Sequence, residues 1–251
     1  MSPYPDSTEI GSGMENNVDR VAVITGGTGG LGTALAARLH ESGHRLAATY
    51  LLPDEARRFE QELDLDEDRF MLRRVDATNP EAVGEFMDEV AGSFGEIHAV
   101  CSLVGGWAGG RDVEDTDDVR LERMLDLNLR SAFYTVRAAI PHLKRAGWGR
   151  IVLVGSRAVV ENPPGQAAFN IAKAGVVALG KTLAQELDGT GVTASVLMPS
   201  VIDTPATRQT LPFADYVGWP TPDEIAGVAA FLVSEQAGVM NGATIPVYGR
   251  V

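Results

Sequence analysis

The stretch Thr25-Gly26-Gly27-Thr28-Gly29-Gly30-Leu31-Gly32 decides the fold of this chain. The apolar run Arg20–Thr25 leads into it and is typical of a buried strand. Apolar residues at helical spacing follow from Leu31 to Ser42, and Gly43 ends that helix. Glycines between a strand and a helix permit a tight turn and let a pyrophosphate approach the backbone, beside the free N–H groups of the helix. The pattern therefore predicts a dinucleotide-binding turn.

A phosphate-binding loop of the nucleoside triphosphatase type is the alternative for such a glycine cluster. That loop needs a lysine directly after its last glycine, and this chain has Thr33 there. The alternative is therefore rejected.

Strand-like and helix-like segments alternate along the rest of the chain. Strands are predicted at Arg20–Thr25, Arg45–Tyr50, Phe70–Val75, Ile97–Val104, Arg150–Gly155, Val192–Met198 and Ala243–Tyr248. Helices are predicted at Leu31–Ser42, Asp54–Leu63, Pro80–Phe94, Asp117–Ala146, Gln166–Leu187 and Thr221–Ser234. This alternation predicts a single α/β domain over residues 19–251, of the Rossmann-type doubly wound kind. Its seven-stranded parallel sheet would carry helices on both faces. Residues 1–18 are polar and are expected to form a disordered tail.

Composition limits the classes of partner. The net charge of −13 is opposite to that of a nucleic-acid binder, so no nucleic-acid partner is expected. No apolar run is long enough to span a bilayer, so no membrane partner is expected. The single cysteine, Cys101, excludes an intramolecular disulfide and fits a reducing, cytoplasmic location. The four histidines lack metal-ligand spacing, so no metal site is expected.

From about Asp19 to Val251 the chain resembles the short-chain dehydrogenase/reductase family. Thr25-Gly26, Gly30 and Gly32 fit the family signature TGxxxGxG. Asp76, in the sequence Val-Asp-Ala-Thr, matches the acidic residue that holds the adenine in that family. The resemblance implies that NAD or NADP is held by Gly26, Thr28, Gly30, Leu31, Gly32, Tyr50, Asp76, Ala77, Gly105, Lys173, Pro199, Ile202 and Thr204. The last three match the segment that clasps the nicotinamide carboxamide.

The resemblance extends to the catalytic residues, with two departures. Asn128, Ser156 and Lys173 match the family's asparagine, serine and lysine. The family's active-site tyrosine lies four residues before the lysine, and Phe169 occupies that position. The family sequence Asn-Asn-Ala-Gly after the fourth strand is replaced by Ser102-Leu103-Val104-Gly105. Because phenylalanine has no hydroxyl, it cannot donate the proton that tyrosine gives to the substrate.

Three interpretations of Phe169 remain open. The chain is an NAD(P)-dependent oxidoreductase acting on a carbonyl or alcohol, with the proton coming from Ser156 or from a water relayed by Lys173 and Asn128. Alternatively, it is a catalytically silent protein that binds a dinucleotide or a metabolite. The third interpretation is an engineered tyrosine-to-phenylalanine variant of an active enzyme.

Two further properties follow from position and resemblance. The end of the second strand usually selects NAD by an acid or NADP by a base, but Tyr50, Leu51 and Leu52 are neither. Arg57 and Arg58 could reach the site only if their helix lies close, so the choice stays open. The resemblance also implies a homo-oligomer, a dimer or tetramer, formed through Asp117–Ala146, Gln166–Leu187 and the last strand. The segment Thr207–Trp219 is read either as an apolar wall over the substrate or as a loop packed on its own domain.

Overall fold

A computed structural model describes residues 19–250, so the predicted disordered tail 1–18 lies outside the described residues. The strands are β1 (Val21–Thr25), β2 (Arg45–Tyr50), β3 (Phe70–Arg74), β4 (Ala99–Ser102), β5 (Gly149–Val154), β6 (Val192–Pro199) and β7 (Thr244–Val247). The helices are α1 (Gly30–Glu41), α2 (Pro53–Glu62), α3 (Pro80–Phe94), α4 (Asp118–Leu125), α5 (Ser131–Ala146), α6 (Ala158–Glu161), α7 (Ala167–Glu186), α8 (Pro205–Thr210) and α9 (Pro222–Val233).

The seven strands form one parallel sheet in the order β3-β2-β1-β4-β5-β6-β7, which confirms the predicted doubly wound fold. One apolar core lies between the sheet and α3, α5 and α7, and the other between the sheet and α1, α2 and α9. Successive strands β2 and β3 are added on one side of β1, and β4 to β7 on the other, so the strand order switches between β1 and β4. In such folds the ligand crevice lies outside the carboxyl ends of the strands at this switch point.

The observed ends of β4 differ from the predicted ends, because hydrogen bonding to the neighbouring strands limits the length of the strand. β4 was expected over Ile97–Val104, but it pairs with both neighbours only over Ala99–Ser102. The short helices α6 and α8 were not predicted, because four and six residues are too few for a periodic pattern. The capping box at the start of α9 is formed by Thr221 and Glu224, as the Thr-Pro-Asp-Glu pattern indicates.

The predicted long helix over Asp117–Ala146 is continuous from Asp118 to Ala146, but it contains a π-helical turn that the sequence did not predict. A π-helical segment, Asp126–Arg130, separates α4 from α5. The amide of Asn128 donates to the main-chain oxygen of Met124, and the hydroxyl of Ser131 donates to that of Leu127. Because side chains take these carbonyls four residues back, they compete with the α-helical ladder there. Such π-helical turns frequently occur at functional sites.

Candidate dinucleotide and active site

The glycine loop is fixed against β2. Gly26 has a φ of +74°, which favours glycine, and its N–H donates to the hydroxyl of Thr49 over 3.0 Å. The N–H of Gly27 donates to the carbonyl of Thr49, also over 3.0 Å. A Cβ at Gly27 would lie 2.6 Å from that of Ala48. The loop therefore has no room for side chains on its β2 side.

Helix α1 begins directly against this loop. A Cβ at Gly32 would press into the carbonyl oxygens of Gly26 and Gly27. No acidic residue lies in the first turn of α1, and its N-cap, Gly29, makes no side-chain cap. The positive end of the helix dipole is thus left for an anion, which is the arrangement that a pyrophosphate requires.

The segment after β6 lies beside the same loop. A Cβ at Gly30 would come within 3.1 Å of the methyl group of Thr204. Thr204 caps α8 by accepting from the N–H of Thr207, while Ile202 packs against the α1–α9 core. Pro199 ends β6 at the carboxyl edge of the sheet. The residues expected to hold the carboxamide therefore adjoin those expected to hold the pyrophosphate.

Three residues distant in sequence meet after β4. A Cβ at Gly105 would lie 2.9 Å from Oδ1 of Asn128 and 3.3 Å from Nζ of Lys173. The preceding chain runs close to the glycine loop, since a Cβ at Gly26 would lie 3.0 Å from the nitrogen of Val104. The hydroxyl of Ser102 is buried and has no partner within the described range 19–250. Gly105 is the one family residue kept in this segment, and a side chain there would collide with Asn128.

Asn128 is buried and fixes the loop after β4. Its Oδ1 accepts from the N–H of Gly106 over 3.1 Å, and its Nδ2 donates to the oxygens of Gly106 and Met124. Both ends of the amide are thereby occupied. The side chain acts as a support for the loop, and only the second lone pair of its Oδ1 is left for a water molecule of the expected relay.

Lys173 reaches this cluster from α7. Its Nζ donates to the carbonyl of Val154 over 2.8 Å, which leaves two of its three N–H groups for other acceptors. Burial lowers the pKa of the lysine to about 8. The ammonium therefore loses its proton much closer to neutral pH than an exposed lysine does.

Phe169 and Ser156 complete the site. Phe169 is buried against Met124 and Ala168, and its ring centroid lies 5.9 Å from Nζ of Lys173. Ser156 follows β5 and is half-buried, and its Oγ accepts from the N–H of Ala158 over 3.1 Å. Because the oxygen acts as an acceptor there, its hydrogen remains available to a substrate.

The adenosine end of the predicted site lies at the ends of β2 and β3. Ala77 is buried, whereas Asp76 is exposed and accepts from the N–H and hydroxyl of Thr78. Tyr50 is half-buried and is the register partner of Arg74. Sequence reasoning missed Arg74, because the pairing of β2 with β3 is not visible in the sequence.

Two aromatic groups border the site region. Trp107, in the loop after β4, donates from its indole N–H to the side-chain oxygen of Gln166 over 2.6 Å. In the segment Thr207–Trp219, Tyr216 contacts Trp219 edge-on at 5.3 Å, while Phe213 is fully exposed. These contacts leave both interpretations of the segment open.

Other reactive groups lie away from this site. Cys101 is buried within β4, and burial raises the pKa of its thiol to about 12. Across the residues that the structure describes, no three His, Cys, Asp or Glu side chains are grouped so that they could hold a metal ion. None of the described helices has the length and hydropathy needed to cross a membrane.

Comparison with known proteins gives consistent matches. The sequence model of the family described as short chain dehydrogenase matches residues 20–214. The chain is 32% identical over 243 residues to the 3-oxoacyl-[acyl-carrier-protein] reductase MabA of Mycobacterium tuberculosis, covering 92% of each protein. It is 29% identical over 255 residues to a D-beta-hydroxybutyrate dehydrogenase of Rhizobium meliloti, covering 92% of this chain and 97% of the relative.

Solved structures agree with the sequence matches. A short-chain type dehydrogenase/reductase from Mycobacterium ulcerans superposes with a TM-score of 0.87 at 26% identity, covering 92% of this chain and 89% of that one. An NAD+-bound xylitol dehydrogenase superposes with a TM-score of 0.84 at 25% identity, covering 92% and 98%.

Proposed function

The chain belongs to the short chain dehydrogenase family, and from that premise we propose that it is an NAD(P)-dependent oxidoreductase. It transfers a hydride between the nicotinamide and a small carbonyl or alcohol substrate, and its proton donor is not a tyrosine. The observation that supports this most directly is the meeting of Gly105, Asn128 and Lys173 beside the glycine loop. A fold kept only for stability would not require that meeting.

The residues present fit a dinucleotide. The glycine loop and the start of α1 suit the pyrophosphate, because side chains are excluded and the helix end is free of acids. Tyr50, Asp76 and Ala77 would border the adenosine, and Pro199, Ile202 and Thr204 the carboxamide. Once bound, the nicotinamide would supply or accept the hydride, so that the protein has to orient the substrate and move one proton.

Ser156 and Lys173 divide the proton chemistry between them. The free hydrogen of Ser156 can bond the substrate oxygen and orient the carbonyl. A serine hydroxyl is a weak acid, whereas the pKa of Lys173 is lowered to about 8 by burial. We therefore assign the supply of the proton to Lys173 through a water molecule, and the orientation of substrate to Ser156. In reduction, the carbonyl carbon gains the hydride and its oxygen gains this proton, which gives an alcohol.

The first experiment is a titration of the purified protein with NADH and NADPH, followed by nicotinamide fluorescence. Micromolar affinity for at least one of them is expected. A panel of a 3-oxoacyl thioester, 3-hydroxybutyrate and xylitol, chosen from the chemistry of the relatives, then tests for turnover. Absence of binding in both reduced and oxidised forms would overturn the proposal.

A catalytically silent binding protein is the second candidate. Phe169 and the altered segment Ser102–Gly105 favour it, because both remove polar groups beside the expected nicotinamide position. It predicts dinucleotide binding without hydride transfer, even in the Phe169→Tyr variant. If the chain is instead an engineered variant of an active enzyme, Phe169→Tyr should restore full activity. In either case we propose a homo-oligomer, acting in the cytoplasm and without nucleic-acid or membrane partners.

A further inference from the structure

We infer that Arg74 selects NADP over NAD, by binding the 2′-phosphate of the adenosine ribose. This inference rests on the proposed dinucleotide site, and it names the form of the cofactor that the site takes. Arg74 lies on β3. From the sequence alone, the choice between NAD and NADP is considered only for the end of β2 and for Arg57 and Arg58 on α2.

The register of the sheet brings Arg74 to the ribose end of the crevice. β2 and β3 are parallel and pair from Leu46 with Phe70 to Tyr50 with Arg74. Side chains alternate along strands, and register partners in a parallel pair share a face. Leu46 and Phe70 pack in the core on the α1 and α2 side. Tyr50 and Arg74 therefore lie on that same face, at the carboxyl end.

The chain just before this position is already part of the site. Thr49 holds Gly26 and Gly27 through its hydroxyl and carbonyl, so the end of β2 adjoins the pyrophosphate loop. In the proposed site, the ribose on the adenosine side of that pyrophosphate would lie at the ends of β2 and β3, beside Asp76 and Ala77. Arg74, the last residue of β3, lies at the same strand ends.

Arg74 is oriented but not neutralised. Its Nε donates to the carbonyl of Leu51 over 3.2 Å, which ties the guanidinium to the loop after β2. The side chain is exposed and makes no ion pair with any residue from 19 to 250. Arg73, on the opposite face, is paired with Glu89 over 2.8 Å. The two terminal nitrogens of Arg74 are therefore available for a bidentate contact with phosphate.

The charges around Arg74 favour the phosphate. No carboxylate occupies positions 50–52, where an acid would bind the 2′-hydroxyl and repel a phosphate. Asp54 and Glu55 lie in the first turn of α2, and Asp54 is paired with Arg57. Asp76 is engaged with Thr78. Among the acids that directly follow positions 50–52, Glu55 is thus the one without an assigned bond, and a single carboxylate does not cancel an arginine that contacts the ligand directly.

The test compares the dissociation constants of NADPH and NADH by fluorescence titration, in the wild type and in Arg74→Ala. The wild type is expected to bind NADPH about tenfold to a hundredfold more tightly, which is the range for hydrogen bonds between charged groups. Arg74→Ala should lose that preference while its NADH affinity changes less than about twofold. Arg74→Lys should keep part of the NADPH preference, because lysine retains the positive charge but cannot make the bidentate contact of a guanidinium.

Matched controls separate the site from general charge effects. Arg58→Ala removes an exposed arginine from α2, and Arg73→Ala removes the neighbour on the opposite face; neither should alter the NADPH-to-NADH ratio. Adenosine 2′,5′-bisphosphate and 5′-AMP, which differ only in the 2′-phosphate, repeat the comparison on the wild type without a nicotinamide, so the result does not depend on how well a variant folds.

The outcomes are distinguishable from failure of the proposed function. If neither dinucleotide binds, the oxidoreductase proposal itself fails. If both bind to the wild type with equal affinity, or NADH binds more tightly, the site exists but the inference about Arg74 is wrong. It is equally wrong if Arg74→Ala weakens both dinucleotides to the same degree, or leaves a strong NADPH preference intact.

Discussion

Phe169 and Lys173 lie one helical turn apart on α7. Phe169 occupies the position of the tyrosine that serves as the acid in the family, so that acid is missing here. Introducing the hydroxyl with Phe169→Tyr should raise the rate of carbonyl reduction about 10²–10⁴-fold, the usual contribution of a positioned general acid. The buried ammonium of Lys173, 5.9 Å from the present ring centroid, would favour ionisation of the new phenol. The rate is measured as nicotinamide oxidation under saturating substrate.

Phe169→Leu is the control for this change, because it perturbs packing against Met124 and Ala168 without adding a hydroxyl. It should not accelerate the reaction. If Phe169→Tyr is no faster than the unchanged chain, the site either uses another acid of equal strength or does not perform this chemistry.

Lys173 determines a second prediction, on the pH dependence of catalysis. Its pKa is lowered to about 8 by burial, so the ammonium that supplies the proton is present below this value and is lost above it. Carbonyl reduction should therefore fall about tenfold per pH unit above pH 8, while alcohol oxidation should not fall over that range. A kcat profile between pH 6 and 10 measures this, and Lys173→Met should abolish the break. A profile that stays flat through pH 8 would exclude Lys173 as the source.

At the scale of elements, the glycine loop and α1 depend on close approach. Gly32→Ala would press a methyl group into the carbonyl oxygens of Gly26 and Gly27, so the loop must open. We expect at least a tenfold loss of dinucleotide affinity and a lower free energy of unfolding, measured by fluorescence titration and urea denaturation. Gly84, inside α3, is the matched control, because a Cβ there meets nothing within 4 Å. Gly84→Ala should leave binding unchanged and stabilise by about 0.5–1 kcal/mol. Unchanged binding by Gly32→Ala would contradict this account of the loop.

The same elements show what the sequence can and cannot predict. Strand β2 and helix α3 were predicted with their observed ends, because composition, Pro80 and the flanking glycines are local signals. The π-helical segment was not, since a periodic pattern shows neither the side-chain bonds of Asn128 and Ser131 to carbonyls four residues back nor the bond of Asn128 to Gly106. The position of Arg74 beside Tyr50 was missed for a related reason: strand register is set by the packing of whole faces against helices.

For the whole molecule, His44 predicts a loss of stability in acid. The ring is buried after α1, its Nδ1 bonds to the carbonyl of Leu39, and burial lowers its pKa to about 4 from 6.5. Between pH 6.5 and 4 the unfolded chain therefore binds a proton that the folded chain does not, and stability falls as the pH falls. The full shift corresponds to about 3 kcal/mol.

Urea denaturation at pH 7 and pH 5 of the wild type and of His44→Asn isolates this contribution. Asparagine can donate to the same carbonyl but does not titrate, so the variant should lose less stability than the wild type between the two pH values. The remaining acid sensitivity includes His98, whose pKa is also lowered by burial. Equal losses in both proteins would show that His44 is not the acid-sensitive group.

Assembly is the second property of the whole molecule, and its apolar surface argues for it. Phe133 on α5 and Ile171 on α7 are 44% and 57% exposed, although both belong to the helices expected to join subunits. On α9, Phe231 is 46% exposed. Exposing large apolar side chains on several helices to water is unfavourable in free energy. Two copies that each bury about 800 Å² would cover them.

Light scattering at micromolar concentration should therefore give a dimer or tetramer, and Ile171→Lys should shift the chain toward the monomer by placing a charge in the covered face. Val113→Lys is the control, because Val113 is 73% exposed and lies outside Asp117–Ala146, Gln166–Leu187 and the last strand. It should leave the assembly unchanged if α5 and α7 form the interface. A monomeric wild type would refute the assembly. Equal dissociation by both substitutions would instead show that the interface is not confined to these helices and includes the segment around Val113. Since Ile171 lies two residues from both Phe169 and Lys173, dissociation by Ile171→Lys should also weaken dinucleotide binding if assembly helps to hold α7 in position.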